Sequence, residues 1–200
     1  MSVAVNGFEE QLRAWRAALD AGAQRVGWKI ALGLVDGQRE PALGHLTSAT
    51  RVPDGASYHR AADRALRAEA ELAVEVGEGG VAGYAAAIEL VDVGRPPDDL
   101  QGIVAANVFH RAVVLGPTRE RPPDRVRLTV GGAVHEPDRP GEDPQAMVEV
   151  AARLLAAAGE RLMPGDRLIT GSVIHVPVAP GDRVELDMGA LGHLSVAIAP

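Results

Sequence analysis

The stretch LRAEAELAVEV at residues 66–76 decides the fold, because its side chains alternate with a period of two. One set is apolar and the other is mostly charged: Leu66, Ala68, Ala70, Leu72, Val74 and Val76 against Arg67, Glu69, Glu71, Ala73 and Glu75. This alternation predicts a β-strand with one face in a hydrophobic core. Glu69 and Glu71 then project side by side from the other face, about 7 Å apart along the strand.

Two adjacent carboxylates that lack a partner repel each other, and one of them tends to take up a proton. A divalent cation between Glu69 and Glu71 removes that conflict, so the pair is a candidate metal site. An ordinary half-exposed strand is the alternative, because Glu75 continues the same polar series.

A second acidic segment, AAIELVD at residues 86–92, reads as a buried strand that carries Glu89 and Asp92. A carboxylate in apolar surroundings is costly unless it is paired or bound to a metal. Alternatively, Glu89 or Asp92 lies at the rim of a sheet. Three oxygen ligands without cysteine or clustered histidine favour Mg²⁺ or Mn²⁺ over zinc.

The rest of the chain predicts an irregular, strand-dominated α+β domain with two main helices. The helices are expected at residues 8–21, with Asn6 as a candidate cap, and at 144–158, where Asp143 can cap and Pro144 opens the first turn. A hairpin at residues 125–134 and strands at 167–170 and 183–186 follow from tight turns and apolar runs. Pro-rich connectors are expected at residues 95–99 and 117–124.

Composition excludes several classes of function. The 200 residues carry a net charge of -7 and show no Lys/Arg cluster, which argues against nucleic acid as a partner. There is no cysteine, and no apolar run reaches the roughly 18–20 residues of a membrane span. Residues 1–10 lack the pattern of a signal peptide. We therefore expect a cytoplasmic protein with no membrane partner.

Lys29 stands out because the chain has 19 arginines and this single lysine. The composition suggests that arginine replaces lysine wherever a generic cation suffices, so Lys29 is a candidate for a role that a guanidinium cannot fill. Chance survival is the alternative. None of the six histidines shows an HxxxH or HExxH spacing, and His175 is of interest because it follows Thr170-Gly171-Ser172 in an apolar run.

Several motifs occur in the order found in a known family. They are GWKI at 27–30, EPALGHL at 40–46, RAEAE at 67–71, AIELVD at 87–92, GDRLITGS at 165–172, VPV at 176–178 and PGD at 180–182. The sequence resembles the 2-oxopent-4-enoate (2-hydroxypentadienoate) hydratases of the fumarylacetoacetate hydrolase superfamily. The likeness covers residues 26–198.

The resemblance implies a mixed β-sandwich or roll of the fumarylacetoacetate hydrolase C-terminal type with a few flanking helices. Residues 1–25 would be an N-terminal helical segment before a hydratase-like catalytic domain at 26–200. It also implies Mg²⁺ or Mn²⁺ on Glu69, Glu71 and Glu89, and a substrate-facing Lys29. A homo-oligomer is expected, or a complex with a partner enzyme of the same pathway.

The chain has a shorter N-terminal region and a shorter stretch before Ala87 than the family, and it departs from the family in two motifs. Ala42 stands where the family has an acid, and Ala106-Asn107-Val108-Phe109 replaces Asp-Asn-Ala-Ser, so that only Asn107 matches. We expect His45 or His175 to replace the missing acid or base. Asn107, Thr170 and Ser172 are candidate substrate contacts.

The predicted activity is a metal-dependent hydratase, a lyase that adds water to a 2-hydroxydienoate or 2-oxo-enoate through an enolate held by the metal. The substrate would be a small 2-oxo acid. Decarboxylation or tautomerisation of a related 2-oxo acid is the alternative, since the same enolate serves all three reactions. A non-catalytic partner subunit is an alternative of a different class.

Overall fold

The computed structural model describes residues 4–35, 38–59, 65–94, 97, 99–137 and 141–200. One sheet has six strands: β1 (Arg25–Val35), β2 (Gln38–Thr47), β4 (Leu66–Gly77), β5 (Gly80–Asp92), β6 (His110–Leu115) and β9 (Arg167–Pro177). Their order is β2-β1-β9-β4-β5-β6; β1 and β9 pair in parallel, and the other neighbours within this sheet of the described residues are antiparallel.

A five-stranded sheet packs against one end of the larger sheet. Its strands are β3 (Ser57–His59), β7 (Arg127–Val130), β8 (Ala133–His135), β10 (Arg183–Asp187) and β11 (His193–Ala199), in the order β3-β11-β10-β7-β8. The helices are α1 (Ala4–Asp20), α2 (Leu100–Ala105) and α3 (Pro144–Ala157), with 3₁₀ turns at Ser48–Thr50 and Gly189–Leu191. The predicted mixed β architecture with a few flanking helices is confirmed.

The six-stranded sheet curls into a roll, because its two edge strands approach each other. Leu46 of β2 and Val113 of β6 belong to one buried cluster, although their strands lie at opposite edges. The amide of Val52 donates to the carbonyl of Val113 at 2.9 Å, which links the segment after β2 to β6. Small side chains leave room inside the roll: Ala73, Ala85 and Ala87.

The predicted alternation along β4 holds only in its first half. Leu66, Ala68 and Ala70 are buried against the five-stranded sheet. Glu71 and Ala73 on the opposite face are buried as well, whereas Glu75 near the end of the strand is partly exposed. The alternative of an ordinary half-exposed strand is therefore wrong at Glu71, because the roll covers that face. The register with β9 shifts on both sides of Glu71.

The three helices cover the other end of the sheet on its outer face. Trp15 of α1 and Trp28 of β1 lie 5.1 Å apart between ring centroids, and the guanidinium of Arg25 is 5.5 Å from each ring. Arg25 Nε also donates to Asp166 Oδ1 at 2.7 Å. This contact fastens α1 and β1 to the start of β9.

Helix α3 matches its prediction closely: the Asp143 side chain accepts from the Gln145 amide at 3.0 Å, and Pro144 opens the helix. Helix α1 starts at Ala4, so the predicted cap at Asn6 was wrong; no proline or glycine interrupts residues 4–6. The hairpin strands begin and end at Arg127–Val130 and Ala133–His135, and β9 is much longer than predicted. Of the connectors, residues 95, 96 and 98 lie outside the described residues.

Among the described residues, no helix has both the length and the apolar character that crossing a membrane requires.

Candidate metal and substrate site

Three carboxylates converge inside the roll. Glu69 and Glu71 come from β4, and Glu89 comes from β5, where its backbone lies directly opposite Glu69. One oxygen from each lies within 4.8 Å of the others. Opposed residues of antiparallel strands project from the same face at short range, which explains the convergence. The structure thus brings together the three residues expected to bind a cation.

The chemistry of these oxygens fits a cation. Glu89 is fully buried and Glu71 is 2% exposed. Glu89 Oε2 is buried, and no N–H group of the described residues reaches it; the neighbouring Glu71 carboxyl can donate to Glu89 only while it is protonated. A buried carboxylate oxygen without a donor is costly, and a metal ion removes that cost. The cluster can therefore hold a metal ion.

The pKa values of the two buried acids, Glu71 and Glu89, shift in opposite directions. Burial raises the pKa of Glu71 well above its usual 4.5, and the charges of Glu89 and Glu69 raise it further. Burial acts on Glu89 in the same direction, but Lys29 and His110 outweigh it and lower the pKa of Glu89 to about 2. Either a proton on Glu71 or a cation must neutralise the remaining charge.

Lys29 on β1 is a positively charged side chain that pairs with the acid cluster. It is 3% exposed, and its Nζ lies 2.5 Å from Glu89 Oε1 and 3.0 Å from the carbonyl oxygen of Val108. Burial alone would lower the pKa of Lys29, but Glu89, Glu69 and Glu71 together raise it above its usual 10.5. Lys29 is therefore charged at neutral pH.

Two backbone features make room for Lys29. A Cβ at Gly44 would lie 2.6 Å from Lys29 Cγ and 2.8 Å from Asn107 Oδ1, so the lysine chain passes over a glycine of β2. After α2, Asn107, Val108 and Phe109 all have positive φ, at 58°, 51° and 64°. Such a run without glycine is strained and is typical of functional segments. It presents the carbonyl of Val108 to Lys29.

Asn107 and His45 are bound to each other through the His45 backbone. The His45 amide donates to Asn107 Oδ1 at 2.7 Å, and Asn107 Nδ2 donates to the His45 carbonyl at 3.1 Å. The Asn107 side chain thus hydrogen-bonds both backbone groups of His45 on the edge strand β2. Burial, together with the charge of His110, lowers the pKa of His45 to about 4, so its ring is neutral at pH 7.

The predicted residues of β9 have different surroundings. The Gly171 amide donates to Glu71 Oε2 at 2.9 Å, and Thr170 Oγ1 donates to the Leu72 carbonyl at 3.0 Å. Ser172 Oγ donates to the Ile174 carbonyl at 2.8 Å. His175 Nδ1 forms a short contact with Glu69 Oε1. Thr170 therefore links β9 to the backbone of β4, and the Gly171 amide binds the carboxylate of Glu71.

A cavity of about 440 Å³ opens beside Glu69 and His175. Ser172 and His175 of β9 form one wall, and His135 and Glu136 face them. The volume suits a small ligand. Glu69 is the member of the acid cluster that faces this cavity, whereas Glu71 and Glu89 lie deeper in the roll.

His110 and Thr50 belong to the site and were not predicted. His110 Nδ1 lies 2.7 Å from Glu89 Oε1, and its Nε2 lies 2.9 Å from Thr50 Oγ1. Burial lowers the pKa of His110 despite the opposing effect of Glu89. Spacing rules could not detect this histidine, because its partner is 21 residues away on the neighbouring strand. The sequence signal that could have indicated His110 is its position as an isolated histidine at the start of an apolar strand.

The two departures from the family pattern differ in surroundings. Ala42 is buried in the apolar cluster beneath the helices, where an acid would be costly. Phe109 belongs to the left-handed turn, directly before His110.

No protein-family model and no curated protein sequence matches the chain. Solved structures do match. One is 4-oxalocrotonate decarboxylase from Pseudomonas putida G7 complexed with magnesium and adipate, with a TM-score of 0.81 and 23% identity over 96% of this chain and 84% of that one. Another is fumarylpyruvate hydrolase from Pseudomonas aeruginosa in complex with Mn²⁺ and pyruvate, with a TM-score of 0.63 and 19% identity over 88% of this chain and 90% of that one.

A third similar structure is 5-carboxymethyl-2-hydroxymuconate delta-isomerase from Mycobacterium smegmatis, with a TM-score of 0.61 and 18% identity over 88% of this chain and 78% of that one. These likenesses establish a shared fold, which agrees with the mixed β-roll expected from the sequence.

Proposed function

We propose that this protein is a metal-dependent enzyme that binds Mg²⁺ or Mn²⁺ through Glu69, Glu71 and Glu89 and acts on a small 2-oxo acid. The observation that carries the proposal is the cluster of three carboxylates, in which Glu71 and Glu89 lie against each other and no N–H group of the described residues reaches the buried Glu89 Oε2. Oxygen-only ligands suit a hard divalent ion.

The charge balance supports an anionic substrate. Three carboxylates and a divalent cation leave one negative charge, and Lys29 neutralises it. A 2-oxo acid can then enter the roll without facing net repulsion. The cavity beside Glu69 has a volume that suits such an acid, and we propose that the acid enters there.

The chain's own residues have distinct roles in this proposal. A divalent cation would supply Lewis acidity toward the carboxylate and 2-oxo oxygens of the acid. Lys29 supplies positive charge at the buried side of the acid cluster, against Glu89. We propose that His175, on the cavity wall beside Glu69, exchanges a proton with the substrate. The neutral ring of His45 can accept a proton, while Ser172 lines the wall that the substrate would contact.

Hydration of a 2-hydroxydienoate is the specific reaction we propose, because the motifs at 27–30, 67–71 and 87–92 resemble those of hydratases. The decarboxylase, hydrolase and isomerase that share the fold include complexes with magnesium, with Mn²⁺ and with pyruvate. That range is consistent with one scaffold that activates 2-oxo acids for several outcomes.

Metal binding and product analysis test the proposal in two steps. Mn²⁺ titration followed by electron paramagnetic resonance should show about one ion per wild-type chain and none in Glu69→Ala. Glu78→Ala, an exposed acid in the turn after the same strand, is the matched control. A wild-type chain that stays metal-free in millimolar Mg²⁺ with a 2-oxo acid would contradict the proposal and favour a non-catalytic subunit.

The reaction is then identified by nuclear magnetic resonance. Proton exchange at C3 of a 2-oxo acid in D₂O reports enolate formation, which hydration, decarboxylation and tautomerisation have in common. Conversion of 2-hydroxypenta-2,4-dienoate to a 4-hydroxy-2-oxo acid would establish hydration. Release of CO₂ or isomerisation without water addition would replace hydration by the corresponding activity.

A further inference from the structure

Lys29 and His110 both contact the same oxygen of Glu89, Oε1, and neither contacts Oε2. Oε1 lies 2.5 Å from Lys29 Nζ and 2.7 Å from His110 Nδ1, whereas no N–H group of the described residues reaches Oε2 and the Glu71 carboxyl can donate to Glu89 only while it is protonated. The side chains of His110 and Glu89 are both fully buried. The carboxylate is therefore fixed in one orientation.

We propose that His110 is a positioning residue, which orients Glu89 so that Oε2 alone is presented to the cation. This inference rests on the proposed metal site. Partners of metal-binding carboxylates and histidines fix the geometry of the ligand, and their loss typically weakens metal binding 10- to 100-fold. His110 occupies that place for Glu89.

The hydrogen-bond pattern defines what His110 does. Glu89 Oε1 accepts, so Nδ1 of a neutral His110 carries the proton. Nε2 lies 2.9 Å from the Thr50 hydroxyl, whose single proton is shared between this nitrogen and the carbonyl oxygen of Thr47, 3.3 Å away. Thr50 lies in the 3₁₀ turn Ser48–Thr50 after β2, and His110 opens β6. The pair thereby joins the two edges of the roll at the point where the metal ligand must be held.

Two amide substitutions separate the two contacts of the ring. In His110→Asn the side-chain nitrogen can take the place of Nδ1. The variant therefore keeps a donor to Glu89 and loses the contact with Thr50. In His110→Gln the longer side chain can take the place of Nε2, which keeps the Thr50 contact and withdraws the donor from Glu89. Both are polar and smaller than or similar to histidine in volume, so folding should survive.

The experiment measures the Kd for Mn²⁺ by electron paramagnetic resonance on the full chain without substrate. We expect His110→Gln to raise the Kd by about 10-fold or more. His110→Asn should stay within about threefold of the wild type, because it retains the donor that matters. His193→Gln, at an exposed histidine, is the control for the chemical change itself.

Each outcome decides the inference. Equal Kd values for the Asn and Gln variants, or a wild-type Kd in the Gln variant, would overturn it, since a merely structural role does not distinguish the two amides. A wild-type chain without Mn²⁺ binding would instead contradict the proposed function. Circular dichroism on each variant confirms that the compared chains are folded.

Discussion

Glu69 and Glu89 are directly opposite residues on β4 and β5, and their carboxylates meet on the inner face of the roll. The two differ in their surroundings: Glu89 is fully buried against Lys29, whereas Glu69 faces the cavity. Removing the charge of either residue should abolish metal binding. Only the removal of the Glu89 charge should strongly lower the stability of the metal-free protein.

We therefore predict that Glu89→Gln lowers the free energy of unfolding of the metal-free protein by about 3–5 kcal/mol, because buried Lys29 loses the partner of its charge. Glu69→Gln should cost less than about 1 kcal/mol, since that side chain is partly exposed. Urea unfolding in the presence of a chelator measures both. Equal losses in the two variants would contradict the role of Glu89 as the main partner of Lys29.

The raised pKa of Glu71 predicts a pH dependence of stability. Its folded-state pKa lies above the usual 4.5, so the folded metal-free protein holds a proton that the unfolded chain releases. This contribution is fully present below pH 4.5 and is lost as the pH rises through the raised pKa. Urea unfolding across that range should show the decline.

Glu71→Gln supplies the control, because an amide cannot titrate and can donate to a neighbouring carboxylate. The variant should lose the pH-dependent decline and be more stable than the metal-free wild type at pH 8, while losing Mn²⁺ binding. Saturating Mg²⁺ should also reverse the decline in the wild type, since the cation replaces the proton. A decline of the same size in Glu71→Gln would assign it to another group.

Lys29→Arg tests whether the single lysine is required. The larger guanidinium must fit where the lysine chain passes Gly44, and overpacking a core of this kind costs about 1–3 kcal/mol. We also expect at least about a 10-fold loss of turnover, because the planar fork cannot place a compact charge against Glu89. Arg13→Lys, at an exposed position of α1, shows whether exchanging the two cations matters by itself. Near-normal activity of Lys29→Arg would refute the requirement.

Gly44→Ala tests the room left for Lys29. The added Cβ would meet Lys29 Cγ and Asn107 Oδ1, so the lysine should shift away from Glu89. We expect a stability loss of about 1–3 kcal/mol and weaker binding of a 2-oxo acid. Gly79→Ala is the control, because a Cβ there meets no atom within 4 Å. Calorimetric titration and thermal unfolding compare the two, and indistinguishable variants would contradict the close approach.

The depressed pKa of His45 predicts a second pH effect of opposite sign. Its folded-state pKa of about 4 lies below the usual 6.5, so the unfolded chain binds the proton first as the pH falls. The contribution is fully present above pH 6.5 and is lost as the pH falls to about 4, with an upper bound of about 3 kcal/mol. The difference in urea stability between the wild type and His45→Gln isolates it. A constant difference across this range would show that His45 does not titrate there.

The acid cluster was predictable because it depends on a local pattern and a family resemblance. Alternation placed Glu69 and Glu71 on one face, and the resemblance added Glu89. Alternation could not show that the roll covers this face, since closure depends on contacts between β2 and β6 that are distant in sequence.

Other parts of the site could not be read from local propensity. The left-handed turn at Asn107, Val108 and Phe109 contains no glycine, and propensity argues against that conformation for valine and phenylalanine. The pairing of His110 with Glu89 depends on the register between β5 and β6, which no spacing rule supplies. The oligomeric state expected from the resemblance stays a prediction, and light scattering measures it.

Trp15 and Trp28, whose rings are in contact at an interplanar angle of 50°, are the only two tryptophans in the sequence. Intrinsic fluorescence therefore reads out a single junction, the docking of the first helix onto the outer surface of the sheet. An emission shift during denaturation would time the release of that helix, and comparison with backbone ellipticity would reveal whether the amino-terminal segment detaches before the roll opens.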